Sequence, residues 1–199
     1  MSTAALYISP DSGQRSSESL LLEAAALYLG MERGGIAASS LRRTEYGKPF
    51  FPDLPLRVSV SHTGRMWACL VAGSEVSSVG LDIQAARHTD HDRIAARFFT
   101  DTECTYLKTA GEDGFFRLWT RKEALTKYLG LPLGRTLAKY SLTDGSKLLS
   151  SLEGVRFYDI DLGSGIYCAA ALPAAFRVDI CIKEMSAEPL PQDCCSRSL

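Results

Sequence analysis

The sequence predicts an α+β protein with antiparallel sheets, in two similar halves, each a small sheet packed on helices. Three observations predict it. Leu56–Ser61 alternates strictly, with Leu56, Val58 and Val60 on one face and Arg57, Ser59 and Ser61 on the other, as a half-buried strand does. Residues 16–30 carry a helix cap, an early acid and a closing glycine. Helix-like and strand-like runs then recur in a similar order later in the chain, without a sequence repeat.

The elements follow in order. Ser16 or Ser17 caps a first helix, Glu18 favours its first turn and Gly30 ends it. Residues 31–55 are irregular, broken by Gly34, Gly35, Gly47, Pro49, Pro52 and Pro55. After the strand at 56–61, His62–Arg65 turns, Met66–Ala72 returns, and Ser78–Ile83 makes a third strand of an antiparallel meander. The polar stretch Gln84–Asp92 leads to helix at Ile94–Phe99. Thr100 and Glu103 have capping-box spacing and start another helix. Gly114 precedes a long helix, Phe115–Leu129, closed by Gly130 and Pro132. Strands return at Lys139–Leu142, Val155–Ile160, Gly165–Leu172 and Arg177–Lys183. The expected halves are residues 1–88 and 89–199.

Composition excludes several classes. The 199 residues are 46% hydrophobic and 23% charged, unlike a disordered, collagenous or low-complexity chain. A formal net charge of -1 provides no global field for nucleic acid, so no nucleic-acid partner is expected. The longest apolar runs, Leu20–Leu29 and Ile166–Phe176, are broken by Glu23 and Pro173. Both are shorter than the roughly 18–20 residues of a membrane span, so no membrane partner is expected. Met1–Pro10 lacks the basic start of a secretory signal. Six cysteines without a CxxC pair suit neither a zinc site nor a disulfide scaffold. Cys69, Cys168 and Cys181 read as small core residues, and Cys194–Cys195 lies in a polar tail. A cytoplasmic setting is expected.

Three clusters could do chemistry. Trp119, Glu123 and Lys127 share one helix face at i, i+4, i+8. A surface Glu–Lys pair is the plain reading, but Trp119 beside it implies partial burial, where charges need partners. Asp82 and Gln84 share one strand face. Asp82 with Glu123 would make a two-carboxylate site of the kind that Mg²⁺ uses with substrate phosphates and water. Ser61-His-Thr-Gly64 offers hydroxyls, an imidazole and amides to a phosphate, and Pro49 gives Lys48 a defined loop position. Without a G-x-S-x-G elbow, Ser61 and His62 do not read as a hydrolase pair.

Together, the order GKP, SHTG, GLDIQ and FFRLWTRKEALTK resembles the Sfp-type 4′-phosphopantetheinyl transferases, from about Leu20 to about Lys183. The resemblance implies a pseudo-dimer of two α+β halves with coenzyme A in the cleft. It implies transfer of the phosphopantetheine arm of coenzyme A to a serine of an apo acyl or peptidyl carrier protein, releasing adenosine 3′,5′-bisphosphate. Carried onto this chain, Asp82 and Glu123 would hold Mg²⁺ (or Mn²⁺), with Gln84 as a neutral donor. Glu123 would be the general base and Lys127 would meet the phosphates. Lys48, Ser61 and His62 would bind the coenzyme. The chain departs from the family in two ways. Many members carry a second acid at the position of Gln84. Longer members also have a basic segment before the first helix that grips the 3′-phosphate, whereas residues 1–19 here offer only Arg15; Arg42, Arg43 or Lys48 would have to compensate. A monomer is expected. The competing readings are a metal-dependent pyrophosphohydrolase on nucleotides, which leaves GKP and SHTG unexplained, and a non-catalytic module for a carrier protein or coenzyme A.

Overall fold

A computed structural model describes residues 2–185 apart from 14, 88, 89, 164 and 177. The polar tail with Cys194 and Cys195 lies outside the described residues. Strand β1 (Ser2–Ser9) precedes helix α1 (Ser17–Tyr28), whose cap Ser16 accepts the Ser19 N–H, as the sequence predicts. The irregular stretch holds only the two-residue pair β2 (Arg42–Arg43) and β3 (Pro49–Phe50) and a short 3₁₀ turn. Strands β4 (Leu56–Thr63) and β5 (Met66–Gly73) then form a hairpin, followed by β6 (Gly80–Ala85). Next come α2 (His91–Phe98), α3 (Asp101–Leu129) and the short α4 (Leu133–Thr136). The last strands are β7 (Ser151–Leu152), β8 (Val155–Asp159), β9 (Ile166–Pro173) and β10 (Val178–Glu184).

Two four-stranded sheets result, ordered β10-β1-β5-β4 and β6-β9-β8-β7. Pairing is antiparallel except between β1 and β10. The expected meander ends at β5: β6 leaves the hairpin and pairs with β9. Strands therefore cross the 88/89 boundary both ways, since β6 joins the second sheet and β10 the first. Strand β1 was not foreseen, and 139–142 forms no strand; its neighbourhood has a single bridge, Thr143 to Leu148. Cys69 and Cys168 are buried as expected, but Cys181 is exposed because β10 is an edge strand.

Side-chain alternation builds the layers. Trp67, Cys69 and Val71 of β5 face α1, where Leu20 and Leu21 meet them. Leu70 faces the opposite way, toward Leu81 and Ile83 of β6 and Leu172 of β9, and fills the space between the sheets. On the far side of the second sheet, Ala169, Ala171 and Phe157 pack against Phe116 and Leu118 of α3. The order is helix, sheet, sheet, helix, with three apolar interfaces.

Helix α3 is two limbs. Thr100 and Glu103 form the expected capping box. The break falls at Gly111 rather than Gly114, with φ 60° and ψ -151°, a conformation that a side chain disfavours. Lys122 Nζ lies 2.6 Å from Glu103 Oε1. Nineteen residues of straight helix would span roughly 28 Å at 1.5 Å per residue, so the limbs must fold back on each other at Gly111. This ion pair is fully enclosed, and the Tyr140 carbonyl accepts a third bond from Lys122. Glu103 also accepts the Thr100 and Leu142 amides, so every charge has several partners.

Candidate functional site

Close approach of α3 to β6 creates the site. A Cβ on Gly80 would lie 2.0 Å from the Ala124 carbonyl oxygen and 2.6 Å from the Tyr128 nitrogen. Only glycine fits there without displacing helix backbone. Two residues along β6, Asp82 points from the same strand face toward α3, where Glu123 and Lys127 project from successive turns.

Asp82 is buried, and its Oδ1 accepts from Ser61 Oγ at 2.8 Å and from Lys127 Nζ at 2.8 Å. Lys127 also donates to Ser61 Oγ at 3.0 Å. Three residues from β4, β6 and α3 thus form one closed polar triangle. Burial pushes the Asp82 carboxyl up, while the Lys127 ammonium and the Ser61 hydroxyl pull it back. Glu123 is half-buried beside them, and its carboxyl is pushed up to about 7. Burial is the larger cause; the Asp82 charge is the second, so the two acids sense each other. Lys127 turns to Asp82 rather than lying along the helix as a simple surface pair. Trp119, on the same helix face, is half-buried against Phe99 and Phe115.

The other expected residues are placed differently. Gln84 is half-buried at the outer end of β6, its side-chain amide donating to the Ala85 carbonyl at 3.1 Å. Its amide oxygen is an available type of neutral donor. Lys48 is turned inward: Nζ donates to Ser78 Oγ and the Val79 carbonyl, both at 2.9 Å, and to the Tyr128 carbonyl at 3.4 Å. Burial, with Arg57 nearby, lowers its ammonium to about 8. Lys48 therefore ties the Tyr46–Pro49 loop to the start of β6 and the end of α3. His62 is exposed on the opposite strand face from Ser61, and Arg43 is exposed with its guanidinium donating to the Gly47 carbonyl. The structure brings Ser61, Asp82, Glu123 and Lys127 together; it does not bring His62 or Arg43 to them.

A cavity of about 200 Å³ opens beside this group, lined in part by Tyr46, Lys48, Pro49, Val60, Lys127 and Leu131. It has one lysine of the acid–lysine group in its wall, with both polar and apolar neighbours. Sequence reasoning missed Glu103, whose pairing with Lys122 fixes the helix beside Glu123. Its signal was present in the capping box, but only the fold reveals the partner. Sequence reasoning also missed what Ser59 and Thr63 do: both hydroxyls accept β6 amides.

Among the described residues no cluster of three or more His, Cys, Asp and Glu occurs. The chain thus offers a cation two carboxylates and one amide oxygen, all hard oxygen donors. That set fits Mg²⁺, which takes few protein ligands and keeps water and phosphate oxygens, and does not fit structural zinc.

Fold and site together define the class: a two-sheet α+β protein with an acid pair and a lysine where the sheets meet. A family model described as the 4′-phosphopantetheinyl transferase superfamily matches residues 78–171, from just before β6 into β9. A 4′-phosphopantetheinyl transferase of Bacillus subtilis is 33% identical over 167 residues, covering 77% of this chain and 71% of that protein. The 4′-phosphopantetheinyl transferase Sfp of Bacillus subtilis (strain 168) is 32% identical over 142 residues, covering 65% of this chain and 62% of its own length. The transferase AcpT of Escherichia coli (strain K12) is 37% identical over 92 residues, 43% of this chain and 46% of AcpT. The chain belongs to the 4′-phosphopantetheinyl transferase superfamily. No described helix is long and apolar enough to cross a membrane.

Proposed function

We propose that this protein transfers the 4′-phosphopantetheine group of coenzyme A to a serine of an apo acyl or peptidyl carrier protein. The observation that carries the reading is the convergence of Asp82 from β6 with Glu123 and Lys127 from α3, closely enough for the Asp82 charge to act on Glu123. Asp82 and Glu123 would hold the Mg²⁺ ion, with Gln84 or water completing its shell. The ion would neutralise charge on the diphosphate of the coenzyme.

The chain's own residues account for the remaining steps. The bond that breaks joins the phosphopantetheine phosphorus to the bridging oxygen of the diphosphate; the bond that forms joins that phosphorus to the carrier serine oxygen. The serine proton passes to the Glu123 carboxylate. Lys127, in the cavity wall, faces the departing phosphate and stabilises its charge. Adenosine 3′,5′-bisphosphate leaves. Lys48 acts by fixing the Tyr46–Pro49 loop that borders the cavity, and Ser61 by holding Asp82 and Lys127 in register.

The two-part division at residue 88 belongs to the same proposal. Ser61 and Asp82 come from residues 1–88, Glu123 and Lys127 from 89–199, and the coenzyme lies between them. A monomer working in the cytoplasm completes the reading. Incubating the protein with Mg²⁺, coenzyme A and several apo carrier proteins, then weighing each carrier, tests it. A mass gain equal to phosphopantetheine on one carrier is expected. Folded protein that modifies none of them would reject the transferase.

A further inference from the structure

The two sheets meet along β4 and β6, each an edge strand of its own sheet. Backbone groups of a strand alternate in direction, so half of those on β6 bond to β9 and the other half face β4. Facing β4 are the amides of Leu81, Ile83 and Ala85. Side chains meet them. Ser59 Oγ accepts the Leu81 N–H at 3.0 Å, Ser61 Oγ the Ile83 N–H at 3.2 Å, and Thr63 Oγ1 the Ala85 N–H at 2.9 Å. The spacing is 22 residues each time, so the two strands run in the same direction. The result is a ladder with hydroxyls in place of carbonyls, built by short hydroxyl side chains at every second position of β4.

The rungs straddle the site. Ser59 grips β6 one residue before Asp82, and Thr63 grips it one residue after Gln84. Ser61, the middle rung, also donates to Asp82. We propose that Ser59 and Thr63 are positioning residues for the acid site: by holding β6 at both ends they set the reach of Asp82 and Gln84 toward a divalent cation. The proposal rests on the reading of Asp82 as a cation ligand. Thr63 acts through the β6 backbone, whereas Ser59 also lines the cavity beside the site. Thr63 is the better probe because it is half-buried and valine copies its shape without an acceptor.

The experiment compares wild type, Thr63→Val, Thr63→Ser and Ser59→Ala as full chains. Amide hydrogen exchange across residues 80–86 is measured without ligand, and Mn²⁺ binding is measured without coenzyme A. In Thr63→Val the Ala85 amide should exchange about fivefold faster or more, the effect of losing one hydrogen bond. Mn²⁺ should bind about three- to tenfold more weakly. Thr63→Ser should restore both. In transfer assays the half-saturating Mg²⁺ should rise while the KM for the carrier stays put. Unchanged exchange at Ala85 would overturn the ladder. Faster exchange with unchanged Mn²⁺ affinity would overturn the positioning role and leave a merely structural contact, as would wild-type protein that binds no Mn²⁺. If Ser59→Ala fails to fold, the Thr63 pair still decides. Failure of the transferase reading looks different: wild type would bind Mn²⁺ and modify no carrier.

Discussion

Replacing Glu123 by glutamine should make the metal-free protein more stable at pH 8 and leave it nearly unchanged at pH 4.5. The carboxyl of Glu123 is raised from its ordinary 4.5 to about 7 by burial and by the Asp82 charge. Below pH 4.5 it is protonated in both the folded and unfolded chain and contributes nothing. Between 4.5 and 7 the unfolded chain ionises first, so stability falls as pH rises. Above about 7 the whole cost remains, because a half-buried anion then sits beside a second anion. At about 1.4 kcal/mol per pH unit the ceiling is about 3 kcal/mol, and water reaching the half-buried group lowers it toward about 2 kcal/mol. Glutamine keeps the shape and removes the charge. Urea unfolding of both proteins at pH 4.5, 6 and 8 in chelator reads the difference directly. Adding Mg²⁺ at pH 8 should stabilise wild type and leave Glu123→Gln unmoved, and the variant should transfer nothing. A stability difference that does not change with pH, or a variant weaker at pH 8, would refute the account of the acid pair.

Other outcomes follow from the same geometry. Gly80→Ala should cost about 2–3 kcal/mol, since the helix must move off the strand, and should lower transfer as Asp82 and Glu123 separate; thermal unfolding and a rate assay check it. Lys122→Met should cost about 3–5 kcal/mol by leaving Glu103 charged and enclosed, and Glu103→Gln in the same chain should recover a large part, as denaturant midpoints would reveal. Gln84→Glu should lower the Mg²⁺ needed for half-maximal transfer; an unchanged or higher requirement would move Gln84 away from the cation.

Local signals were legible and distant pairings were not. The Ser16 cap and the Thr100–Glu103 box were readable because cap and amide lie three residues apart. The alternation of β4 correctly placed Leu56, Val58 and Val60 on one face, which the fold turns toward α1. The partner of β6 was not readable, because a short turn after β5 suggests a hairpin and nothing local reveals that β9 competes for the same edge. Lys139–Leu142 has strand-like residues, yet its backbone serves as a partner for buried side chains: the Tyr140 carbonyl accepts from Lys122 and the Leu142 amide donates to Glu103. In the site, Asp82, Glu123 and Lys127 were singled out by strand alternation, helix spacing and motif order, and the fold brings them together. The inward turn of Lys48 was hidden, since its acceptors lie about 30 and 80 residues away.

The parallel pairing of β1 with β10 joins Ser2 to Val178 and Ile8 to Glu184. During synthesis the first sheet must wait for nearly the whole polypeptide to emerge before its outer strand can dock. Until then β1 presents a bare hydrogen-bonding rim, an invitation to mispairing with other nascent chains. A fragment cut at residue 88 would carry that rim permanently and lose β9 from β6 as well. The natural unit of folding is therefore the chain from β1 to β10, and dissecting the enzyme into its sequence halves should yield aggregates rather than modules.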